Sequence, residues 1–438
     1  MPSPSFYSFI IALISALSIA ACTPTPSNTE KQRVLEAHRQ LAFTVYSETV
    51  LKTQRLYNEI PNFTAAPSEQ KLLHLRQLWI EARAPYSQSE ALRFGNWFTD
   101  EWDGKVNSWP LDEGLIDYVD SSYIASTTNP WAQMNLIGSE QIQLLTRPIS
   151  TRKLSIALLR LLSSESDVET NVLSGFHALE FMLWGQDTSN SQARAGQRPW
   201  TDFLAQDGKC TNSNSLAGSA TSCRKRGEFL LIVTKDLLER LEEMRDHWAP
   251  SNSPRAELVA GEANAGLARM LFGLSTMSAQ ELAGERIQVA LYTSAPEEEQ
   301  DCFSDDTHHS IWYNALGIEN FYFGRFESTD PARSVNLAQH SLAELTKKYY
   351  PALSTQLEQA FTQTRKITKQ LKDMGDAPSE HRQHFDQLIR SENKEGRALL
   401  AELVLTLEHQ ANLLKQLANR ITLDLDHPGT TPNSTLEQ

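Results

Sequence analysis

A histidine and a glutamate stand three positions apart in an otherwise apolar stretch, GFHALEFMLWG (residues 175–185). On an α-helix this spacing places His177 and Glu180 on one face. An imidazole and a carboxylate arranged in this way can reach one metal ion, as they do in carboxylate-rich bundles, or serve in acid–base chemistry. The spacing alone, however, is more typical of two polar residues satisfied inside a buried helix.

A metal site at this pair needs ligands from elsewhere in the chain. HxxE occurs once in the sequence, no HExxH is present, and no second histidine follows Glu180 on the same helical stretch, so the common zinc-protease helices are excluded. Two ligands do not close a metal site. Glu90, Asp112 and Glu113 are the candidates for the missing ligands.

A second unusual stretch is LWIEARAPYSQSEALRFG, residues 78–95. Trp79, Arg83, Tyr86 and Glu90 recur every three or four residues, so they share one helical face. That face continues an apolar line earlier in the segment and should point into the core. Buried charges are costly unless they are paired. The stretch therefore predicts a functional cleft, a structural ion pair, or a face that turns to solvent in its second half.

The segment SAPEEEQDCFSDDTHHS, residues 294–310, is strongly acidic. It lacks the calcium-loop pattern of alternating acidic residues before a glycine, so it predicts a solvated loop. His308 and His309 could bind a transition metal, but adjacent loop histidines are more often surface residues. Cys302 lacks a cysteine-protease context, and no G-x-S-x-G elbow occurs. The sequence leaves the roles of these three residues open.

The amino end predicts export. An apolar run from Phe9 to Ala21 is too short to span a membrane and ends in a small-residue pattern before Cys22. Although no Lys or Arg precedes the run, residues 1–21 resemble a bacterial lipoprotein signal peptide with Cys22 as the lipid acceptor. Residues 22–31 would form a tether. We expect an outer-membrane lipoprotein that faces the periplasm, since no aspartate follows the cysteine.

The net charge and the cysteine content limit the kinds of partner that we expect for this chain. The formal net charge is −14, from 40 Lys and Arg against 54 Asp and Glu, which argues against a nucleic-acid partner because such a partner needs clustered basic surface. In an oxidising compartment Cys210 and Cys223 are expected to form a disulfide that closes a polar loop. A zinc site there is less favoured, because neither CxxC nor a nearby histidine accompanies the pair.

Apolar periodicity predicts an all-α protein of two helical bundles, each resembling a four-helix bundle. The first helix is expected to end at Pro61, and short strands remain possible in 111–125 and 287–325. The predicted organisation is an N-terminal bundle over 32–190, a loop over 191–225, a C-terminal bundle over 226–425 and a disordered tail over 426–438.

Taken together, the segments resemble the imelysin family, also called insulin-cleaving membrane protease or iron-regulated protein A-like proteins. The resemblance covers about residues 33 to 425 and rests on five ordered motifs. These are WIEARAPYSQSEALRFG, NSWPLDEGLIDYV, GFHALEFMLWG with its GxHxxE signature, ELAGERI, and EEEQDCFSDDTH followed by GIENFYFGR. Ser310 departs from the pattern, since close relatives commonly carry an aspartate there, and this puts an acidic role for position 310 in doubt.

The resemblance implies a two-bundle helical fold with the GxHxxE site near the interface between the bundles, in an envelope protein tied to iron acquisition. His177 and Glu180 would be the central pair, and Glu90 would line the same cleft; if the site binds a metal, we expect Glu90 to be the third ligand. The other residues that the resemblance places in the same cleft are Trp79, Arg83, Tyr86, Asp112 and Arg286.

Three functions remain open on the sequence. The leading hypothesis is a lipid-anchored protein that binds iron, another divalent metal or an iron-bearing ligand and works with iron-uptake partner proteins. The alternative is a metallopeptidase in which Glu180 acts as general base on a metal-bound water. The third is a non-catalytic interaction module, in which the polar pair only fixes how the bundles pack.

Overall fold

The structure is a computed structural model. It describes residues 25–121, 123, 129–144, 147–165, 168–187, 195–212, 218–250 and 262–425. In these ranges helices dominate and the strands form two short hairpins, which confirms the predicted all-α class. Cys22, the predicted signal peptide and the predicted tail lie outside the described residues. None of the helices in the described ranges is long and apolar enough to cross a membrane.

The α-helices follow one another through two halves of the chain. In the first half they are α1 (Asn28–Ala65), α2 (Glu69–Ser89), α3 (Trp97–Asp103), α4 (Glu113–Ile116), α5 (Ile156–Ser164), α6 (Gly175–Trp184) and α7 (Ala220–His247). In the second half they are α8 (Ala263–Thr276), α9 (Val289–Thr293), α10 (Thr307–Phe323), α11 (Leu342–Tyr349), α12 (Pro351–Gly375), α13 (Phe385–Leu388) and α14 (Lys394–Arg420).

Strands and non-α turns are few. A 3₁₀ turn, Glu90–Leu92, extends α2, and a π-helix, Met277–Gln288, continues α8. The hairpins pair β1 (Gln141–Leu144) with β2 (Arg147–Ser150) and β3 (Arg325–Phe326) with β4 (Val335–Asn336), both antiparallel.

The first helix is longer than predicted at both ends. Ser27 caps it reciprocally with Glu30, so the helix begins at Asn28 and takes in the last residues of the predicted tether. It also runs through Pro61 to Ala65, so the predicted end at Pro61 is wrong. A proline removes one backbone donor and strains the preceding turn, but the residues that follow it can still complete the last turn.

The helices form two packed groups whose membership differs from the prediction. The first bundle is α1, α2, α6 and α7; the second contains α8 with its π-helical continuation, α10, α12 and α14. The predicted second bundle starts at residue 226, which lies inside α7. Because α7 packs along α1 and α6, this helix belongs to the first bundle. The two bundles meet where α2 contacts α10 and α1 contacts α8, over a continuous apolar core.

A buried ion cluster ties α7 to the rest of the first bundle. Asp117, which follows α4, accepts hydrogen bonds from Arg198 Nη1 at 2.8 Å and Arg226 Nε at 2.7 Å. All three side chains are buried. The disulfide Cys210–Cys223 closes the adjacent loop onto α7. Together these contacts hold the loop and α7 against the first half of the chain.

We predict that Asp117→Asn lowers the free energy of unfolding by about 3–5 kcal/mol, because it leaves two buried guanidinium groups without their shared carboxylate. Asp100→Asn is the matched control, since Asp100 pairs with Arg93 at the surface and its loss should cost about 1 kcal/mol or less. Urea unfolding of both variants checks the difference. Equal losses in the two variants would contradict this account of the cluster.

Candidate functional site

The glycine of the GxHxxE signature sets how α6 enters the core. Gly175 adopts φ +84°, and the next amide, Phe176 N–H, donates to the Val106 carbonyl at 2.8 Å. A Cβ on Gly175 would lie 2.4 Å from the same carbonyl oxygen. A left-handed backbone and this close approach both require glycine. The ten residues of α6 that follow from this start are all buried.

His177 and Glu180 contact each other inside the protein. His177 Nδ1 lies 2.8 Å from Glu180 Oε2, and both side chains are fully buried. The other carboxylate oxygen, Oε1, accepts from the Ser304 amide at 2.9 Å and the Ser304 hydroxyl at 2.7 Å. Burial raises the pKa of Glu180 to about 8, while the hydrogen bonds from Ser304 lower it.

Arg83 occupies the position next to the second ring nitrogen of His177. Its Nη2 lies 3.2 Å from His177 Nε2, and its Nε donates to Asp301 Oδ1 at 3.1 Å. Arg83 also donates to Asn107 Oδ1. A guanidinium carries only donors, so Nε2 must accept and Nδ1–H must donate to Glu180. The imidazole is therefore neutral. Burial and the Arg83 charge lower the pKa of His177 to about 3.

Glu90 belongs to the same network, but both of its carboxylate oxygens already accept hydrogen bonds. Arg286 Nη2 donates to its Oε1 at 2.6 Å and Nη1 to its Oε2 at 3.2 Å. Asn107 and Asn314 donate to the same two oxygens at 3.1 and 2.7 Å. Burial alone would raise the pKa of Glu90, but Arg286 lowers it to about 2. Glu90 therefore stabilises the contact between bundles, and the structure does not group it with His177 as a third ligand.

Two of the predicted cleft residues, Trp79 and Tyr86, pack beside Arg83 and hold the helices that carry the site. Trp79 Nε1–H donates to the Phe176 carbonyl at 3.0 Å, and Tyr86 donates to Asp103. The Arg83 guanidinium carbon lies 5.5 Å from the centre of the Tyr86 ring. These rings enclose the guanidinium in apolar surroundings, which strengthens its electrostatic contacts.

Asp112 lies in a separate polar cluster. It accepts from Tyr123 at 2.9 Å and Thr170 at 2.6 Å, and its described contacts do not include His177 or Glu180. Its neighbour Glu113 accepts from Gln186 at 2.6 Å. The structure thus places neither candidate ligand with the histidine.

From Glu299 onward the acidic segment is folded inward, so the prediction of a solvated loop is wrong for that part. Phe303 is buried against Phe181, with ring centres 5.3 Å apart, and anchors the segment. Asp301 and Ser304 are thereby brought to Arg83 and Glu180. Sequence reasoning assigned neither residue a role, although both lie in the EEEQDCFSDDTH motif. The one local feature that indicates burial of this segment is the apolar pair Cys302–Phe303 between the acidic residues.

Asp301 completes a group that could hold a metal ion. One donor atom each from His177, Glu180 and Asp301 lies within 4.8 Å of the others. Within the described ranges Asp301 Oδ2 is buried and makes no hydrogen bond, which is costly for a carboxylate oxygen. Imidazole with carboxylates suits iron or zinc. The residues present therefore fit such an ion.

The paired histidines begin helix α10 and do not form a loop. His309 Nδ1 lies 2.7 Å from Asp306 Oδ1. Asp376 Oδ1 is 3.5 Å from His308 Nε2 and 3.2 Å from His309 Nε2. His308 is buried and His309 is partly exposed. Ser310 is buried as well, and its hydroxyl brings no charge to position 310.

A two-bundle helical fold with a buried HxxE pair at the junction defines the class of protein, and solved structures share the fold. A protein described as an iron-regulated protein A precursor from Parabacteroides distasonis ATCC 8503 aligns with a TM-score of 0.61 at 17% identity, covering 90% of this chain and 97% of that one. An imelysin-like protein from Psychrobacter arcticum 273-4 aligns with a TM-score of 0.57 at 14% identity, covering 92% and 98%.

Sequence comparison gives the family. The Imelysin family model matches residues 42–414, so this chain belongs to the imelysin family. The chain is also 21% identical over 362 residues to iron-regulated protein A of Synechococcus elongatus, a match that covers 80% of this chain and 78% of that protein. The family resemblance inferred from the motifs is confirmed.

We predict that Gly175→Ala lowers the free energy of unfolding by about 3 kcal/mol or more, because it adds backbone strain and an overlap with the Val106 carbonyl. Gly208→Ala is the control. Gly208 has φ +71°, but an added Cβ there meets no described atom within 4 Å, so only strain of about 1–2 kcal/mol is expected. Denaturant unfolding measures both. Equal effects would remove the special role of the signature glycine.

The lowered pKa of His177, about 3, predicts a pH-dependent stability difference. The unfolded histidine titrates near 6.5, so between pH 6.5 and 3 the unfolded state binds the extra proton and the wild type loses stability as pH falls. His177→Gln lacks this titration. The stability advantage of the wild type should shrink by up to about 1.4 kcal/mol per pH unit below 6.5.

Urea unfolding at pH 7.5, 6 and 5 tests this difference. The control is His409→Gln, since His409 is exposed on α14 and its replacement should leave the pH profile of the wild type unchanged. Parallel profiles for wild type and His177→Gln would show that the buried imidazole is not held neutral by the fold.

Proposed function

We propose that this chain is a binding protein for iron, or for an iron-bearing ligand, at the junction of its two bundles. The observation that carries the proposal is the convergence of His177, Glu180 and Asp301, with one buried carboxylate oxygen lacking a hydrogen bond within the described structure. Family membership and the name of the Synechococcus relative, iron-regulated protein A, support a role connected with iron.

The donor chemistry supports a metal ion. His177, Glu180 and Asp301 would hold it, and the ion would add positive charge beside two buried carboxylates that have Arg83 as their neighbouring cation. The contact of Nδ1–H with Glu180 Oε2 orients the imidazole and leaves His177 Nε2 as the ring nitrogen that can bind the ion. Asp301 replaces Glu90 in the ligand set inferred from the sequence.

Arg83 is the resident competitor of such an ion. Its guanidinium contacts both His177 Nε2 and Asp301 Oδ1, so it already places a cation where the donors converge. An ion that used both atoms would have to displace the Arg83 side chain. Binding would therefore be coupled to a local rearrangement between α2 and the segment that carries Asp301.

A peptidase centre is less well supported. A general base needs a free carboxylate oxygen facing an open coordination position. Both oxygens of Glu180 accept hydrogen bonds, and His177 and Glu180 are fully buried. A purely structural role is the main competitor, because Arg83–Asp301 and Glu90–Arg286 join the two bundles.

The cellular setting is also a proposal. We infer an outer-membrane lipoprotein, anchored by lipid at Cys22 and facing the periplasm, that delivers iron to uptake partner proteins. The disulfide Cys210–Cys223 supports an oxidising compartment. Mass spectrometry of envelope fractions tests this: a diacylglyceryl-modified Cys22 is expected at the mature amino end, and an unprocessed chain would contradict the anchor.

Metal titration separates binding from a structural role. We predict that the wild type binds ferrous or ferric iron, with zinc and copper as comparison ions, and that His177→Gln weakens binding at least about 100-fold, since losing even an outer partner costs about 10–100-fold. Arg83→Gln should tighten binding at least about tenfold, because it removes the competing positive charge. Isothermal titration calorimetry of folded variants measures both effects.

His409→Gln, on an exposed part of α14, is the control for loss of a histidine and should bind as the wild type does. Binding no better than micromolar for every ion, or equal binding by His177→Gln, would contradict the proposal. If Arg83→Gln and His177→Gln both lose stability and neither affects metal binding, the network serves only to pack the bundles.

A further inference from the structure

A second buried group consists of three carboxylates: Glu299, Asp305 and Asp386. One oxygen from each lies within 4.8 Å of the others. Their exposed fractions are 1%, 2% and 4%, so none is solvated. This group shares no residue with the His177 site and contains only oxygen donors.

Each carboxylate in this group carries an oxygen without a partner. Glu299 Oε1, Asp305 Oδ2 and Asp386 Oδ1 are buried and make no hydrogen bond to any described residue. An unsatisfied buried polar atom destabilises the fold, and more strongly if the atom is charged. Three such atoms in one place are rare in a native fold, so the group requires a ligand or shared protons to be stable.

The nearby charges do not balance the three carboxylates. Arg390 donates to Asp386 Oδ2 at 2.8 Å. His384 Nε2 lies 3.7 Å from Asp305 Oδ2, which is beyond hydrogen-bond distance. Among the described residues, Arg390 is the one cation within hydrogen-bond distance of the three carboxylates.

More distant charges do not supply the missing compensation. Arg382 lowers the pKa of Asp305, whereas Asp187 acts in the opposite direction. Burial is the largest cause of the raised pKa of Asp305, which reaches about 8. Within the part of the chain that the structure describes, the surrounding cations therefore do not neutralise three ionised carboxylates.

We propose that Glu299, Asp305 and Asp386 form a site for a hard divalent cation, with calcium as the best match. Hard cations take oxygen ligands, and calcium accepts carboxylates in flexible arrangements at about 2.3–2.6 Å. Two oxygens bound to one such ion lie at most about 4.6–5.2 Å apart, and the three oxygens meet this limit because each lies within 4.8 Å of the others. A double positive charge also neutralises the group.

The site would fix the segment that serves the His177 centre. Asp301 and Ser304, which contact Arg83 and Glu180, lie between Glu299 and Asp305 in the chain. Asp305 has φ +55°, a left-handed conformation that is uncommon outside glycine. A cation that joins both ends of this segment to α13 would hold the bend in place, independently of any metal at His177.

Thermal unfolding of the full chain, freed of metal with EDTA and then given calcium, magnesium or manganese, tests the site. We expect calcium to raise the melting temperature of the wild type by about 5 °C or more and Glu299→Gln to abolish the shift. The matched control, Glu392→Gln, removes an exposed glutamate before α14 and should keep the shift. His177→Gln should also keep it, which separates this site from the proposed iron site.

A larger shift with magnesium or manganese than with calcium would keep the site and change its preferred ion. Two results would overturn the proposal. One is a wild-type melting temperature that responds to none of the three ions. The other is a shift that survives in Glu299→Gln. If the wild type responds to none of the three ions, Glu299→Gln should itself be more stable than the wild type, because it relieves repulsion among carboxylates that have no cation.

Discussion

The contact of the Arg83 guanidinium with His177 Nε2 and Asp301 is the interaction on which the rest of the site depends. It fixes the tautomer of the histidine, and through that tautomer it makes Glu180 an acceptor on both oxygens. It also joins α2 of the first bundle to the acidic segment of the second. Because all of these groups are buried, removing any one leaves the others unsatisfied.

The network extends from this contact without a break across the bundle junction. Asn107 accepts from Arg83 and donates to Glu90, and Glu90 receives Arg286 from the π-helix. A π-helical segment carries an altered hydrogen-bond register and is frequent at functional sites. Here it directs Arg286 at the junction. The same side chains therefore position the candidate site and hold the bundles together.

Helical periodicity in the sequence predicts those contacts of the site that lie within one helix. The three-residue spacing of His177 and Glu180, and the shared face of Arg83 and Glu90, follow from helical periodicity alone. Periodicity could not show which carboxylate would be free, because the pairing of Glu90 with Arg286 joins residues far apart in the chain. For this reason the sequence alone favours Glu90 as a ligand and gives no indication of Asp301.

Two other errors have the same origin. The acidic segment has the composition of a solvated loop, and only tertiary packing of Phe303 on Phe181 brings its acids inside. The apolar stripe of α7 shows that this helix has a buried face, but it does not show which bundle that face contacts. Composition and periodicity report burial and element type, and the choice of partner is a property of the whole fold.

The most direct test of the central claim is an anomalous difference map, recorded at the iron absorption edge, from crystals of the full chain grown with iron. The account predicts one peak within coordination distance of His177 and Asp301, with the Arg83 side chain turned away from both. A map without such a peak, in which Arg83 still contacts His177 and Asp301, would contradict it and would assign the network to packing alone.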